Sequence, residues 1–375
     1  AVMTQNIGAG RPGVAYQARQ LGLAFNAVLG VIMSLFLSLG AGTILSGVGV
    51  ADALMQPAKT YLQIVGGFCI LNALIPICSS YLRAFGFSKE PLYASIIGNV
   101  INFCLNAFFL FVLHKGVAGV ATATVISRII NLVIVVLLGA VLVKAKQHPE
   151  RESNRAVMGQ IIRIGLPSAC ETAIYNVSMT LVIRFLNQMD AQGLNVTARS
   201  YTMQITNFSY CVGAALAQAN AIMTGWHIGA KEYDACDRGT KKAAVIGVIV
   251  AVILETVFTL CSGWIMQLFS KDPQMVSLVG KLLAIDIVLE IGRVTNLVYG
   301  QALKTSGDAV FPVVMGACFM ILCSVGGTYL FGIRLGLLAV GAYIGMTGDE
   351  CVRAVGMYLR WKSGKWKEKG LVKSR

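Results

Sequence analysis

Residues 119–143, GVATATVISRIINLVIVVLLGAVLV, decide the fold, because they form an apolar run with a single charged residue, Arg128. A bilayer core about 30 Å thick takes about 20 apolar helical residues to cross, so this run predicts one membrane-spanning helix. Nine other runs of similar character lie along the chain. They are Leu21–Leu45, Tyr61–Leu82, Pro91–Leu113, Ile161–Leu186, Arg199–Met223, Ala243–Phe269, Met275–Leu303, Phe311–Phe331 and Leu337–Leu359. Together they predict an all-α polytopic membrane protein with about ten transmembrane helices, since such long runs do not fit the ten-residue alternation of a β-barrel.

Composition and charge agree with a membrane protein. Of the 375 residues, 56% are hydrophobic and 13% charged, against about 25% charged in soluble domains. The net charge of +14 does not indicate a nucleic-acid partner, because the basic residues gather before the first helix, in every second loop and in the tail. They are Arg11, Arg19; Arg83, Lys89; Lys144, Lys146, Arg151, Arg155; Lys231, Arg238, Lys241, Lys242; Lys304; and Arg360 to Arg375. The positive-inside rule therefore predicts a multi-pass protein with a cytoplasmic C-terminus. We expect it in the plasma (inner) membrane.

The tail and the cysteines carry smaller predictions. Trp361 and Trp366 are expected at the lipid headgroups, with the lysines around them attracting anionic lipid. Ten cysteines are scattered without a C-x-x-C pair, so we interpret them as small hydrophobic residues. The histidines, at 114, 148 and 227, have no metal-ligand spacing. The sequence thus predicts no metal centre and no cofactor other than a coupling ion.

A short pattern recurs at an offset of about 220 residues, which indicates a duplication. AVMT at 1–4 returns as AIMT at 221–224, LRAFG at 82–86 with Pro91 returns as LKTSG at 303–307 with Pro312, and Gly116 corresponds to Gly336. The helix pair Ile161–Met223 has its counterpart before residue 1, so we expect twelve helices in full, in two six-helix lobes related by parallel repeats. The predicted divisions are 1–143, an N-lobe remnant of four transmembrane helices; 144–160, a cytoplasmic linker; 161–361, the C-lobe of six helices; and 362–375, a basic cytoplasmic tail.

Charged residues inside the apolar runs are the candidates for function, since each is costly in a bilayer. Asp286, Glu290 and Arg293 are spaced i, i+4 and i+7, which places them on one helix face with Asn296 a turn beyond. A Glu290–Arg293 pair could bond neighbouring helices. Alternatively, Asp286 and Glu290 could repel each other and respond to protons or sodium.

The run that opens GLPSACE at 165–171 carries a second candidate. Pro167 frees a backbone carbonyl one turn earlier, and Glu171 and Tyr175 then share a helix face. A lone membrane glutamate with a polar stripe favours a cation or proton site. Further polar stripes include Asn102 on one helix and Gln204 with Asn207 on another, which interhelical hydrogen bonding alone could explain.

These residues resemble the multidrug and toxin extrusion (MATE) family within a larger flippase-like exporter superfamily. The resemblance extends over the whole chain. Its carriers are NIGAG at 6–10, GLPSA at 165–169 with Glu171, residues 225–230, LRAFG at 82–86, E-x-G-R-x-x-N at 290–296 and LKTSGD at 303–308, with positions 305 and 306 free in the family pattern.

The resemblance implies a twelve-helix antiporter with two lobes in a V-shaped arrangement, which exports amphipathic, often cationic compounds while Na⁺ or protons flow inward. Glu171 matches the family's seventh-helix glutamate, a cation-site and substrate-site residue in many members. Arg293 lies near the place of a tenth-helix aspartate that some members carry in the cation site, and the family's first-helix aspartate falls before residue 1. The coupling ion, Na⁺ or H⁺, therefore stays open. We expect a monomer that is not an enzyme.

The sequence leads to a hypothesis of alternating access, in which Glu171 with Asp286 or Glu290 changes protonation or binds a cation. Arg293, Asn296, Tyr175, Asn207, Gln204 and Asn102 are the candidate substrate or charge-pair residues. A flippase for a lipid-linked sugar is the alternative, with Arg128, Arg293 and Arg353 holding a pyrophosphate. An intramembrane enzyme would need a nucleophile with a base or a metal cluster, and the sequence offers no such constellation.

Overall fold

The computed structural model describes residues 1–48, 51–144, 148–190 and 193–372. Within these ranges the regular structure is helical throughout, with no strand. Its helices are α1 (Val2–Gly8), α2 (Pro12–Leu39), α3 (Ala41–Val48), α4 (Asp52–Gly67), α5 (Ile70–Ala84), α6 (Lys89–Ala107), α7 (Gly116–Leu142), α8 (Asn154–Met189), α9 (Leu194–Gly229), α10 (Tyr233–Leu260), α11 (Ser262–Met266), α12 (Pro273–Ser306), α13 (Val310–Phe319) and α14 (Leu338–Lys362). A π-helical segment, Phe108–Val112, extends α6, and two others, Met320–Val325 and Thr328–Arg334, follow α13.

The prediction of an all-α membrane fold is confirmed. In the described part of the chain, five helical stretches are long and apolar enough to cross a membrane, namely Pro12–Leu39, Lys89–Val112, Gly116–Leu142, Tyr233–Leu260 and Val310–Arg334, and the bent pair α4–α5 makes a sixth if it is one span. The remaining long helices are α8, α9, α12 and α14. They are long enough to span but more polar, and they line the site described below.

Two of the predicted apolar runs are interrupted. The run predicted as Leu21–Leu45 divides at Gly40 into α2 and α3. The run predicted as Tyr61–Leu82 begins earlier, at Asp52, and bends by 41° between α4 and α5. The bend follows the pair Gly66 and Gly67, and adjacent small residues are a usual cause of kinks because they support the helix weakly.

Several helices extend beyond the predicted runs. α8 begins at Asn154, not at residue 161, and α10 begins at Tyr233, not at residue 243. Hydropathy marks only the apolar part of a helix, whereas the backbone hydrogen bonds continue through polar turns. The limits of α12 have a local cause: the Asp272 carboxylate accepts from the backbone N–H of Gln274 at 3.0 Å, and Gly307, with φ of 99°, ends the helix.

The chain forms two compact units. The N-unit is Gly10–Gly159 and the C-unit is Ala1–Ala9 with Gln160–Arg375. In the N-unit, α7 packs against α4, α5 and α6, and α2 packs against α4 and α5. The C-unit is built around α12, which packs against α9, α10 and α14. α12 therefore carries its side chains into the interior of the C-unit.

α1 belongs to the C-unit, although the predicted N-lobe began at residue 1. A Cβ added at Gly229 of α9 would lie 2.0 Å from the backbone oxygen of Gln5, and one at Gly225 would lie 2.0 Å from the Thr4 hydroxyl. Small residues let two helices approach this closely. The Gln5 side chain also donates to the backbone carbonyl of Thr305 at 2.6 Å. Residues 1–9 therefore pack within the C-unit.

The two tail tryptophans are not at the surface, so their predicted headgroup location is wrong. Trp361 and Trp366 are each 1% exposed, and their rings stack with centroids 4.1 Å apart. Their aromatic surface fills a gap beside Ile228 and Leu303 in the core of the C-unit, because burial of rings this large outweighs an interfacial position. The backbone N–H of Leu371 donates to the Gln5 side chain at 2.8 Å. Among the basic residues of the linker and tail, Lys146, Lys373 and Arg375 lie outside the described residues.

The predicted repeat is visible in the backbone. Positive φ angles occur at Gly86 and Gly307, and at Gly116 and Gly336, each pair about 220 residues apart. The π-helical segments Phe108–Val112 and Thr328–Arg334 keep the same separation. The four glycines belong to the matched sequence motifs, so the two halves share the same backbone geometry at these positions.

Candidate substrate and ion site

One cavity of the C-unit has a volume of about 500 Å³ and is lined mainly by α8, α12 and α14. We call it the larger cavity, because the cavity that adjoins it is smaller. Pro167 lies inside α8 without ending it, and the polar face that follows it directs Glu171 and Tyr175 into the cavity. Arg293 and Asn296 reach it from α12. Its lining combines aromatic, methionine, amide and charged side chains, a composition suited to an amphipathic ligand.

Glu171 is paired with a residue that the sequence analysis did not select. The Lys304 ammonium lies 2.6 Å from Oε2 of Glu171, and both side chains are 17% exposed. The sequence predicts Lys304 as a loop residue that reports topology and as part of the LKTSGD motif, whereas α12 continues to Ser306 and places it in the cavity wall. The Glu171 carboxylate, which was predicted to attract cations, is thus already paired with a cationic side chain of the protein, that of Lys304.

Arg293 and Arg353 form a charged network across the cavity. Arg293 donates to Glu290 on its own helix, and its Nε lies 3.8 Å from Glu350 of α14. Arg353 contacts Glu350 at 2.9 Å and Asp349 at 2.8 Å. The network therefore joins α12 to α14 through Glu350, which contacts both arginines. The side chain of Asn296 donates to the same Glu350 carboxylate at 3.0 Å.

A smaller cavity of about 220 Å³ adjoins the first, since both have Tyr175, Tyr210 and Arg293 in their walls. Asn207 and Asp286 also line it. Its other lining residues are Met179, Arg199, Met203, Thr206, Tyr343 and Met346. Flexible methionines beside aromatic rings make a wall that adapts to different apolar shapes.

A cluster of three carboxylates reaches the wall of the smaller cavity through Asp286. We call it the acidic cluster: Glu255 of α10 with Asp286 and Glu290 of α12. One oxygen from each lies within 4.8 Å of the others, and the three residues are 0%, 2% and 0% exposed. The i, i+4 spacing placed Asp286 and Glu290 together. Glu255 is not among the site residues predicted from the sequence, although a lone glutamate in the apolar run VIVAVILETV is the signal that marks it.

Two other predicted residues lie elsewhere. Gln204 is exposed and is absent from the walls of both cavities. Asn102 belongs to the N-unit, where it donates to Ser127 at 3.3 Å and accepts from Asn106 at 3.0 Å. The remaining predicted site residues line a cavity or belong to the acidic cluster.

The fold and this interior define the class of the protein: a multi-pass helical membrane protein whose ionisable residues face a cavity between helices, as they do in transporters.

The MatE family model matches residues 1–108 and 167–330, and the chain belongs to the MATE family of membrane transporters, which are not enzymes. It is 32% identical over 377 residues to the uncharacterized transporter YisQ of Bacillus subtilis, covering 99% of this chain and 82% of YisQ. It is 22% identical to the probable multidrug resistance protein NorM of Thermotoga maritima, covering 90% of this chain and 76% of NorM. A crystal structure of a MATE protein in the straight conformation superimposes with a TM-score of 0.88 at 19% identity, covering 98% of this chain and 83% of that one.

Proposed function

We propose that this protein exports small amphipathic, cationic organic compounds in exchange for Na⁺ or H⁺ by alternating access. The main support is the Glu171–Lys304 pair in the wall of the 500 Å³ cavity. A carboxylate held by an internal lysine can release it and pair with an incoming cation, because the two cations compete for one charge. Relatives that are named as probable multidrug resistance proteins support the export of drugs.

The coupling step of this proposal uses the carboxylates of α8 and α12. Glu171 faces the cavity, and Asp286 and Glu290 lie deeper in the same unit. A site drives transport only if its affinity for ion and substrate differs between the two conformations. A carboxylate has such a difference in affinity when it is paired with an internal cation in one conformation and has lost that partner in the other. The protein acts as a monomer in the plasma membrane, with its C-terminus in the cytoplasm.

Substitution of Glu171 tests the proposal. In proteoliposomes with an imposed Na⁺ or pH gradient, wild-type protein is expected to transport the cationic dye ethidium, and Glu171→Gln to lose gradient-driven transport while remaining in the membrane. Asp234→Asn is the matched control, since Asp234 is an exposed acidic residue in the first turn of α10. Undiminished driven transport by Glu171→Gln contradicts the proposal.

A lipid-linked sugar flippase is the second candidate, because Arg293, Arg353 and Lys304 all line the larger cavity. Each of these cations has a carboxylate partner within 4 Å, so pyrophosphate would have to displace protein carboxylates. That pairing favours the exporter. Movement of a fluorescent pyrophosphate lipid between leaflets, without ethidium transport, would support the flippase instead.

A further inference from the structure

Arg199 of α9 is a deeply buried cation that lines the smaller cavity. Its side chain is 7% exposed. Within the part of the chain that the structure describes, its Nε has no hydrogen-bond partner and its guanidinium forms no ion pair. Its Nη2 donates to the sulfur of Met179 at 3.7 Å, a weak contact because a thioether is a poor acceptor. Burying an uncompensated charge is costly, so this position indicates an anion that binds from the cavity.

Two other arginines that line the cavities are already neutralised by the protein. Arg293 and Arg353 each have a carboxylate partner. Arg199 forms no such pair among the described residues, although Asp286 lines the same cavity. An anionic group of a ligand therefore meets an available positive charge at Arg199, whereas at Arg293 or Arg353 it would have to displace a protein carboxylate.

The surroundings of Arg199 select a carboxylate on an apolar body. A guanidinium is planar, and a carboxylate accepts two parallel hydrogen bonds from it. Thr206 and Asn207 line the same cavity and supply further donors. A phosphate dianion is a poorer match, because one guanidinium offers a single positive charge. The methionine and tyrosine side chains of the remaining wall suit an aromatic group next to the carboxylate.

We propose that Arg199 is an anion subsite for the carboxylate of a zwitterionic amphipathic substrate, whose cationic end pairs with Glu171 in the larger cavity. The two cavities share Tyr175, Tyr210 and Arg293 in their walls, so one molecule has room to occupy both. The inference rests on the proposed function for the role of Glu171 and adds a second charge to the substrate. Arg199 is then the residue that distinguishes zwitterionic compounds from purely cationic ones.

Binding of two dyes to the purified full-length chain in detergent, measured by fluorescence anisotropy, tests the subsite. Tetramethylrhodamine has a cationic ring system and a free carboxylate, and its methyl ester has the same rings without the negative charge. Wild type is expected to bind the acid more tightly than the ester. Arg199→Gln should bind the acid roughly tenfold more weakly, the effect of a lost hydrogen bond between charged groups, and the ester as wild type does. Arg184→Gln, at an exposed arginine of α8, is the matched control and should bind both dyes as wild type does.

Stability gives a second measurement at the same residue. Because Arg199→Gln removes an unpaired buried charge, it is expected to keep or raise the melting temperature of the ligand-free protein. Sodium benzoate, compared with NaCl at equal ionic strength, should raise the melting temperature of wild type but not of Arg199→Gln. Arg199→Lys keeps the charge but loses the planar fork, so it should bind the acid with intermediate affinity.

Three results overturn the subsite: equal affinity of wild type for the acid and the ester, unchanged affinity for the acid in both Arg199→Gln and Arg199→Lys, or an equal loss of both dyes with a lower melting temperature, which would mark Arg199 as structural. Ethidium transport that depends on Glu171, together with any of these results, would leave the proposed function standing without the subsite. Binding of the acid that depends on Arg199, without ethidium transport by wild type, would leave the subsite standing without the proposed function.

Discussion

The ammonium group of Lys304 lies 2.6 Å from the carboxylate of Glu171, so α12 neutralises the charge that α8 carries into the larger cavity. The two residues are 133 positions apart in sequence. A family motif identifies Glu171, but only the packing of α12 against the cavity reveals its partner.

Lys304→Gln is expected to lower the KM for ethidium roughly tenfold, which corresponds to about 1.4 kcal/mol, because the dye no longer competes with lysine for Glu171. Initial transport rates in proteoliposomes measure this. Lys281→Gln is the control, as Lys281 is an exposed lysine on the same helix. A KM equal to or above that of wild type contradicts a competing role for Lys304.

Trp366→Ala is expected to destabilise the C-unit by about 3–5 kcal/mol, as for other buried tryptophans. The change removes the stack on Trp361 and the hydrogen bond from its indole N–H to the Trp361 carbonyl, 2.9 Å long. Thermal unfolding of the purified protein should show a lower melting temperature. Trp264→Ala, at a side chain that is 71% exposed, should show little change, and equal effects of the two substitutions would argue against a packed tail.

Gly229→Ala is expected to destabilise the protein, because the new methyl group would overlap the backbone oxygen of Gln5 and force α1 away from α9. Gly239→Ala adds the same methyl group within α10, where nothing lies within 4 Å of it, and should stabilise by about 0.5–1 kcal/mol through helix propensity. Melting temperatures that shift in opposite directions are the expected outcome. A neutral Gly229→Ala would mean that α1 does not pack as described.

Asp349→Asn is expected to destabilise by about 1.5–3 kcal/mol, the range for hydrogen bonds to charged groups, since Arg353 loses one carboxylate and keeps Glu350 at 2.9 Å. Arg353 contacts Asp349 through two nitrogen atoms, at 2.8 and 3.0 Å. Ser324→Ala removes only a hydrogen bond of 2.9 Å to the same carboxylate and should cost about 0.6 kcal/mol, the average for interhelical bonds in membranes. Thermal unfolding of both variants measures which one loses more stability. A larger loss of stability for Ser324→Ala than for Asp349→Asn would contradict the prediction.

Hydropathy and charge predicted the membrane fold and the order of the long helices, because a bilayer imposes the same length and apolarity on every crossing. The α4–α5 bend and the added turns of α10 depend on local backbone geometry, which hydropathy does not report. Helical spacing placed Asp286 and Glu290 on one face of α12. Glu255 could not be assigned to them from the sequence, since the register of α10 against α12 is set by packing of both helices.

Prediction from composition was wrong for the tail. Its lysines and tryptophans have the composition of an interfacial segment, yet Trp366 is buried because the helix ends of the C-unit leave an aromatic-sized gap. Composition describes what a segment can contact, whereas the shape left by neighbouring helices decides what it does contact.

The polarity of α12 bears on how the protein is made. Asp286 and Arg293 lie near the middle of this 34-residue helix, and each charge there costs about 2.5–3.5 kcal/mol to insert. A newly synthesised α12 on its own is therefore a poor substrate for the insertion machinery. It becomes stable in lipid only beside α9 and α10, which precede it, and its arginine reaches Glu350 only once α14 has followed. Insertion of the C-unit into the membrane is therefore cooperative, because α12 is stable there only together with α9 and α10, which precede it, and α14, which follows it.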